Sequence, residues 1–155
     1  MKGCHVPACR VFHRDFLPPE RAFAYAADLE NFPMWFPGVV HVASADALPF
    51  TAAGKMYREM IAMPLGRERA VLIRVVDATP PRRLVTEGAL PLLLPRMDME
   101  FAACGSRGCR VTWRMHGRNA RGWARWVVLP VVRRVMARRA ALGMRRLKGR
   151  LERAA

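Results

Sequence analysis

The stretch VVRRVMARRAALGMRRLKGRLE (131–152) decides the fold. Its apolar positions Val132, Met136, Ala140, Met144, Leu147 and Leu151 recur at steps of three and four. That spacing draws one stripe along an α-helix of about 22 residues, or about 33 Å. Arginines and a lysine fill the other faces. The oily side must be buried against something, and nearly everything upstream reads as strand. A sheet curling around one C-terminal helix makes a container, so the pattern predicts an α+β chain with an antiparallel sheet and helices on one face.

The strands are legible as period-2 alternation. Met97, Met99, Phe101 and Ala103 alternate with Asp98 and Glu100, and Cys109, Val111, Trp113 and Met115 alternate with Arg110, Thr112, Arg114 and His116. Matching the oily faces requires Phe101 opposite Val111 and Met99 opposite Trp113, with a loop at Gly105-Ser106-Arg107. Gly54–Met63 and Arg67–Asp77 form a second hairpin around Pro64-Leu65-Gly66, which sets Tyr57 opposite Ile73 and Glu59 opposite Val71. Val11–Phe16, Val39–Ala45 and Arg83–Gly88 complete the strands. Pro18-Pro19-Glu20 opens a helix over Arg21–Leu29, because proline suits a first helical turn and glutamate favours that end. Asn31–Gly38 reads as a compact turn around Phe32, Trp35 and Phe36. Leu90–Pro95 is either a lid or a packed corner.

With 155 residues and 52% apolar content, one domain over 1–155 is expected, its core spanning about 11–153. Charge is uneven. Residues 118–155 carry twelve basic residues and one acid, whereas 1–117 carry fifteen and eleven, so the helix end supplies most of the net +15. Such a field favours an anionic partner. An anionic membrane surface meeting Arg133, Arg134, Arg138 and Arg145 suits it better than nucleic acid, since no aromatic stacking residues interleave these arginines. Yet 24 of the 27 basic residues are Arg in an Ala-rich chain, which GC-rich coding also produces. The apolar run near Trp123–Val132 is broken by Arg125 and Pro130, too short to span a bilayer. The N-terminal MKGCHVPACR has no apolar signal core, so a cytoplasmic location, peripheral to membrane at most, is expected.

Cys4, Cys9, Cys104 and Cys109 form two C-x4-C spacings, unlike the usual zinc knuckle, and neither a metal nor a cofactor is expected. In the hairpin register Cys109 faces Ala103, so a Cys104–Cys109 disulfide is disfavoured. No phosphate loop, zinc-protease motif or serine elbow appears, and His5, His13, His41 and His116 pair with no nucleophile.

The segments ERAFAYAADLENFPMWFPGVV (20–40), AGKMYREM (53–60), IRVVDATPPRRLVTEG (73–88) and GCRVTWRM (108–115) resemble the SRPBCC superfamily of START-like proteins. The likeness is to its bacterial polyketide cyclase/dehydratase and lipid-transport group. It implies a helix-grip fold, in which about seven strands wrap the C-terminal helix around an apolar cavity. Carriers, sensors and cyclases share that fold, so function must be argued from the site.

The inward faces and the helix stripe supply candidate ligand contacts: Trp35, Val71, Ile73, Val75, Met97, Met99, Phe101, Val111, Trp113, Met115, Met136, Ala140 and Met144. Plain core packing accounts for the same pattern. Glu59 and Tyr57 are the catalytic candidates, since a carboxyl in an oily space is suited to proton transfer. The competing reading pairs Glu59 with Arg69 or water at a cavity mouth. Three functions compete: binding of a lipid, isoprenoid or polyketide-like molecule, a cyclase or dehydratase using the same cavity, and binding to an anionic membrane surface. Oligomeric state is not legible.

Overall fold

The computed structural model of the chain describes residues 9–11, 17–91, 93–105, 108–118 and 124–153, with side chains from 17 to 118 in these ranges and from 130 to 153. His5, Cys4, the Cys9 side chain, residues 12–16 of the expected first strand with His13 among them, Trp123, and Ser106 and Arg107 of the hairpin loop lie outside the described residues.

The strands are β1 (Cys9–Val11), β2 (Val39–Ser44), β3 (Met56–Ala62), β4 (Glu68–Thr79), β5 (Arg83–Gly88), β6 (Pro95–Cys104) and β7 (Gly108–Gly117). They form one antiparallel seven-stranded sheet in the order β1-β7-β6-β5-β4-β3-β2. Bulges between Val39 and His41 and between Val75 and Asp77 shift the register, and such insertions bend a sheet. On the outer face, Arg83–Asp98, Arg96–Glu87 and Arg114–Glu100 pair across neighbouring strands at 2.7, 2.8 and 2.8 Å.

Both hairpin registers are those the alternation requires: Tyr57 faces Ile73, Glu59 faces Val71, Met99 faces Trp113 and Phe101 faces Val111. Ala103 faces Cys109, and Cys104 and Cys109 are free thiols. The β3–β4 turn is tighter in conformation than its composition suggests. Leu65 sits at φ 64°, a left-handed conformation that a side chain disfavours.

Helix α1 (Pro19–Ala27) begins with Pro19 and has Glu20 in its first turn. It buries Ala22, Phe23, Ala26 and Ala27, and Phe23 meets Phe101 of β6 edge-on at 5.3 Å. The expected turn region after it is a 3-10 helix, Leu29–Met34, capped by Asp28, whose carboxylate accepts from the Glu30 N–H at 3.1 Å. Phe32, Trp35 and Phe36 pack together there, and Phe36 reaches Trp113 at 5.2 Å. Of the Leu90–Pro95 segment, in which Leu92 lies outside the described residues, Leu93 and Leu94 pack against the end of β7. The Leu94 carbonyl accepts from the Arg118 N–H at 3.0 Å, and a Cβ on Gly117 would stand 2.9 Å from the Leu93 carbonyl oxygen.

Helix α2 runs from Ala124 to Arg153, so it starts seven residues before the expected Val131. Pro130, read from the sequence as a break, lies inside the helix. Ala140, Met144, Leu147 and Leu151 are buried, as the stripe requires, whereas Val132 and Met136 are half-buried. Gly143 lets the helix approach the 3-10 segment, since its missing Cβ would stand 3.0 Å from Phe36. The sheet, α1, the 3-10 helix and α2 share one core, from Leu17 to Leu151. No helix among the described residues is long and apolar enough to cross a membrane.

Candidate functional site: a cleft with a buried carboxyl

A cleft opens between the 3-10 helix and the inner face of the sheet. Leu29 and Phe32 form one wall, and Glu59, Ile73, Thr86, Gly88, Pro95, Met97 and Met115 form the other. The sheet residues come from five adjacent strands, so curvature brings them together. Thr86 faces Met97 across β5 and β6, and Met97 faces Met115 across β6 and β7. The wall is apolar apart from Glu59 and Thr86.

The sequence predicts generous room along this face, but the cleft holds only about 40 Å³. At about 10–15 Å³ per water that is space for about three waters, far below the several hundred Å³ of a drug-sized ligand pocket. Large inward side chains occupy the described interior beside it: Trp35, Tyr57, Met99 and Trp113 are all in the packed core.

Glu59 is buried between Val42 of β2 and Val71 of β4. No hydrogen bond or ion pair reaches its carboxyl among the described residues. Arg69, the partner suggested by sequence, is exposed and faces Ile61 instead. Burial alone lifts the Glu59 carboxyl to about 7, since the charged form loses its hydration. It therefore exchanges a proton near neutral pH, as a general acid or base must.

Tyr57 lies two residues back on the same face, and its buried hydroxyl has no hydrogen-bond partner among the described residues. Burial, followed by the negative charges of Asp28, Glu30 and Asp46, pushes its ionisation up, so it stays a neutral donor. It does not border the cleft with Glu59. The indole N–H groups of Trp35 and Trp113 are likewise buried with no acceptor among the described residues.

Beside Tyr57 is an arrangement the sequence did not announce. Lys55 is buried, with its ammonium 2.8 Å from Asp46 and 5.3 Å from the Tyr57 ring centroid. It also donates to the Ser44 hydroxyl and the Asp46 carbonyl. Its hydrogen bond holds the Asp46 carboxyl below the usual carboxylate range. The cluster is internally satisfied and pins the β2–β3 connection.

Of the candidate ligand contacts, Ile73, Met97 and Met115 border the cleft with Glu59. Val75, Met99, Phe101, Val111, Trp113, Trp35, Ala140 and Met144 belong to the core, with Met136 packed against it, and Val71 is buried beside Glu59. Sequence reasoning missed Leu29, Phe32, Thr86, Gly88 and Pro95. Leu84-Val85-Thr86 hides its alternation because all three side chains are buried.

Residues 13–152 match the family described as polyketide cyclase/dehydrase and lipid transport. No curated protein matches the chain. Among solved structures, a Rhodobacter sphaeroides protein is similar at 18% identity and a TM-score of 0.63, over 96% of this chain and 92% of that one. A Thermus thermophilus protein is similar at 17% identity and a TM-score of 0.67, over 96% and 99%. The di-domain ARO/CYC StfQ of the steffimycin biosynthetic pathway shares 14% identity at a TM-score of 0.70, over 96% of this chain and half of that protein. At these identities the likeness is one of fold.

Proposed function

Because the chain belongs to the polyketide cyclase/dehydrase and lipid-transport family, we propose that it binds a hydrophobic small molecule in the cleft as a carrier or sequestering protein. A lipid, isoprenoid or polyketide-like compound fits the apolar wall. The observation that carries the reading is the Glu59 carboxyl, set in the mostly apolar wall of the cleft with no protein partner among the described residues. A ligand hydroxyl entering the cleft would give this carboxyl a hydrogen bond that no described side chain supplies. A drug-sized molecule requires the cleft to widen. Met97 and Met115 provide adaptable walls, since unbranched thioether side chains repack at low cost.

A second reading, catalysis in the same cleft, is favoured by the Glu59 carboxyl lying near 7. In a dehydration, Glu59 would take a proton from the carbon next to a carbonyl. It would return that proton to the departing hydroxyl, so that one water leaves as the C=C bond forms. Tyr57, a neutral donor behind Glu59, would act only through a rearranged cleft.

Native mass spectrometry of protein purified from its own host, followed by extraction of bound small molecules, tests the binding reading. An apolar compound released from wild type and depleted in Glu59→Gln is expected. The reading fails if nothing co-purifies and 1-anilinonaphthalene-8-sulfonate does not bind. Turnover of the extracted compound with a pH midpoint near 7, abolished in Glu59→Gln, would establish the catalytic reading instead.

A further inference from the structure

We propose that the solvent side of α2, together with the exposed β3–β4 turn, docks on a bilayer bearing anionic headgroups. Val131, Val135 and Leu142 are 63%, 43% and 42% exposed. At about 100° per residue they lie within about 40° of one another, roughly opposite the buried line of Ala140, Met144, Leu147 and Leu151. The helix thus has two apolar lines, of which the core uses one.

Arg134, Arg138, Arg145 and Arg146 flank the exposed line, and none has an ion pair among the described residues. Arg133, which charge alone would include, falls on the azimuth of the buried line and is not counted. A solvated arginine face needs no aliphatic row to stay soluble. Cations beside exposed aliphatic groups are what an interfacial helix presents, its apolar side chains entering the headgroup boundary while guanidinium groups reach phosphates.

A second element points the same way. Leu65 at the β3–β4 turn is 94% exposed and holds a left-handed backbone that glycine or asparagine would adopt more easily. It sits between Met63, also exposed, and Arg67. The hairpin is tied to the flank of α2, because the Ala62 N–H donates to Gly38 at 2.8 Å and the Arg139 guanidinium lies against Gly38. The chain therefore keeps a strained, exposed leucine three residues beyond the strand end that Gly38 links to Arg139 of the cationic helix. The sequence from Val131 to Arg153 holds no aromatic residue between these arginines, which disfavours single-stranded nucleic acid as the occupant.

The test is co-sedimentation with vesicles of phosphatidylcholine alone or of phosphatidylcholine mixed equally with phosphatidylglycerol, using protein stripped of small-molecule ligand. Binding to the anionic vesicles at low salt, and none to the neutral ones, is expected. Each of Arg138→Ala and Arg145→Ala should weaken it about fivefold. Val135→Asp with Leu142→Asp should weaken it at least about tenfold, more than the loss of one arginine. Leu65→Gly relieves the backbone strain, so it should leave thermal stability intact while reducing vesicle binding. The proposal is overturned by absence of binding to anionic vesicles. It is equally overturned if the Val135/Leu142 double variant and Leu65→Gly bind like wild type, or if duplex DNA or an acidic protein competes regardless of the aliphatic row. None of these outcomes depends on Glu59 or the cleft.

Discussion

Gly143 of α2 and Phe36 at the end of the 3-10 segment are in direct contact: a Cβ in place of the glycine hydrogen would stand 3.0 Å from the ring and 3.4 Å from the Trp35 carbonyl oxygen. Phe36 in turn lies 5.2 Å from Trp113 of β7. This column of helix, aromatic ring and sheet fixes how far α2 stands from the strands.

Substitutions at the two helical glycines should therefore have opposite signs. Gly143→Val should lower stability by about 2 kcal/mol, since overpacking at a contact this close outweighs the gain in helix propensity. Around Gly149 the nearest atoms are the flexible Arg153 guanidinium nitrogens at 3.8 and 4.0 Å. Gly149→Ala should raise stability by about 0.5–1 kcal/mol. Urea denaturation midpoints decide this, and stabilisation by both would mean that α2 is not seated on Phe36.

The two cysteines of the β6–β7 hairpin should differ in reactivity. Cys109 is buried, which pushes its thiol up to about 11, whereas Cys104 is half-exposed. At pH 8 about one Cys109 in a thousand would be thiolate, the form that alkylates. Iodoacetamide should label Cys104 in the native protein and Cys109 only after unfolding, as read by peptide mass spectrometry. Rapid native labelling of Cys109 would contradict its placement against α1 and the core.

How much of this was legible follows from period and parity. Glu59 opposite Val71 and Phe101 opposite Val111 could be read because a one-residue slip would turn each oily face to solvent. The cleft could not be read in the same way. Leu29 and Phe32 reach it from a 3-10 helix whose LENFPM sequence carries no clean period, and Gly88 and Pro95 meet there only because β5 and β6 pair. The start of α2 was missed for a local reason. Pro130 reads as a break, yet here it occupies an exposed interior position of the helix. Lys55 was invisible because nothing in AGKMYREM signals that Asp46 and Ser44 fold back to enclose it.

The narrowness of the cleft has a measurable consequence. Met97→Ala removes a buried wall side chain and should lower stability by about 2–5 kcal/mol, the usual range for such truncations. It should also enlarge the cleft enough to bind a small apolar probe such as benzene or xenon more tightly than wild type under native conditions. Loss of stability without any gain in probe binding would mean that the core collapses into the vacated space, and that Met97 is not a ligand wall.

The sharpest prediction concerns Glu59 and pH. In the unfolded chain its carboxyl titrates near 4.5, and in the fold it titrates near 7. The folded state therefore binds more protons than the unfolded state between these values, so stability falls as pH rises through the interval. Below about pH 4.5 both states are protonated and Glu59 costs nothing through its charge. Above about pH 7 the cost is fully expressed, on the order of 3 kcal/mol for a shift of this size in a buried group. Glu59→Gln keeps the shape and removes the charge. It should match wild type in stability near pH 4, gain steadily through pH 5–7, and level off as the more stable protein at pH 8. Chemical denaturation at these pH values reads the difference directly. A constant offset across the range, or a wild type that is the more stable at pH 8, would show that the ionised carboxylate has a partner in the fold and that the cleft does not hold an unsatisfied acid.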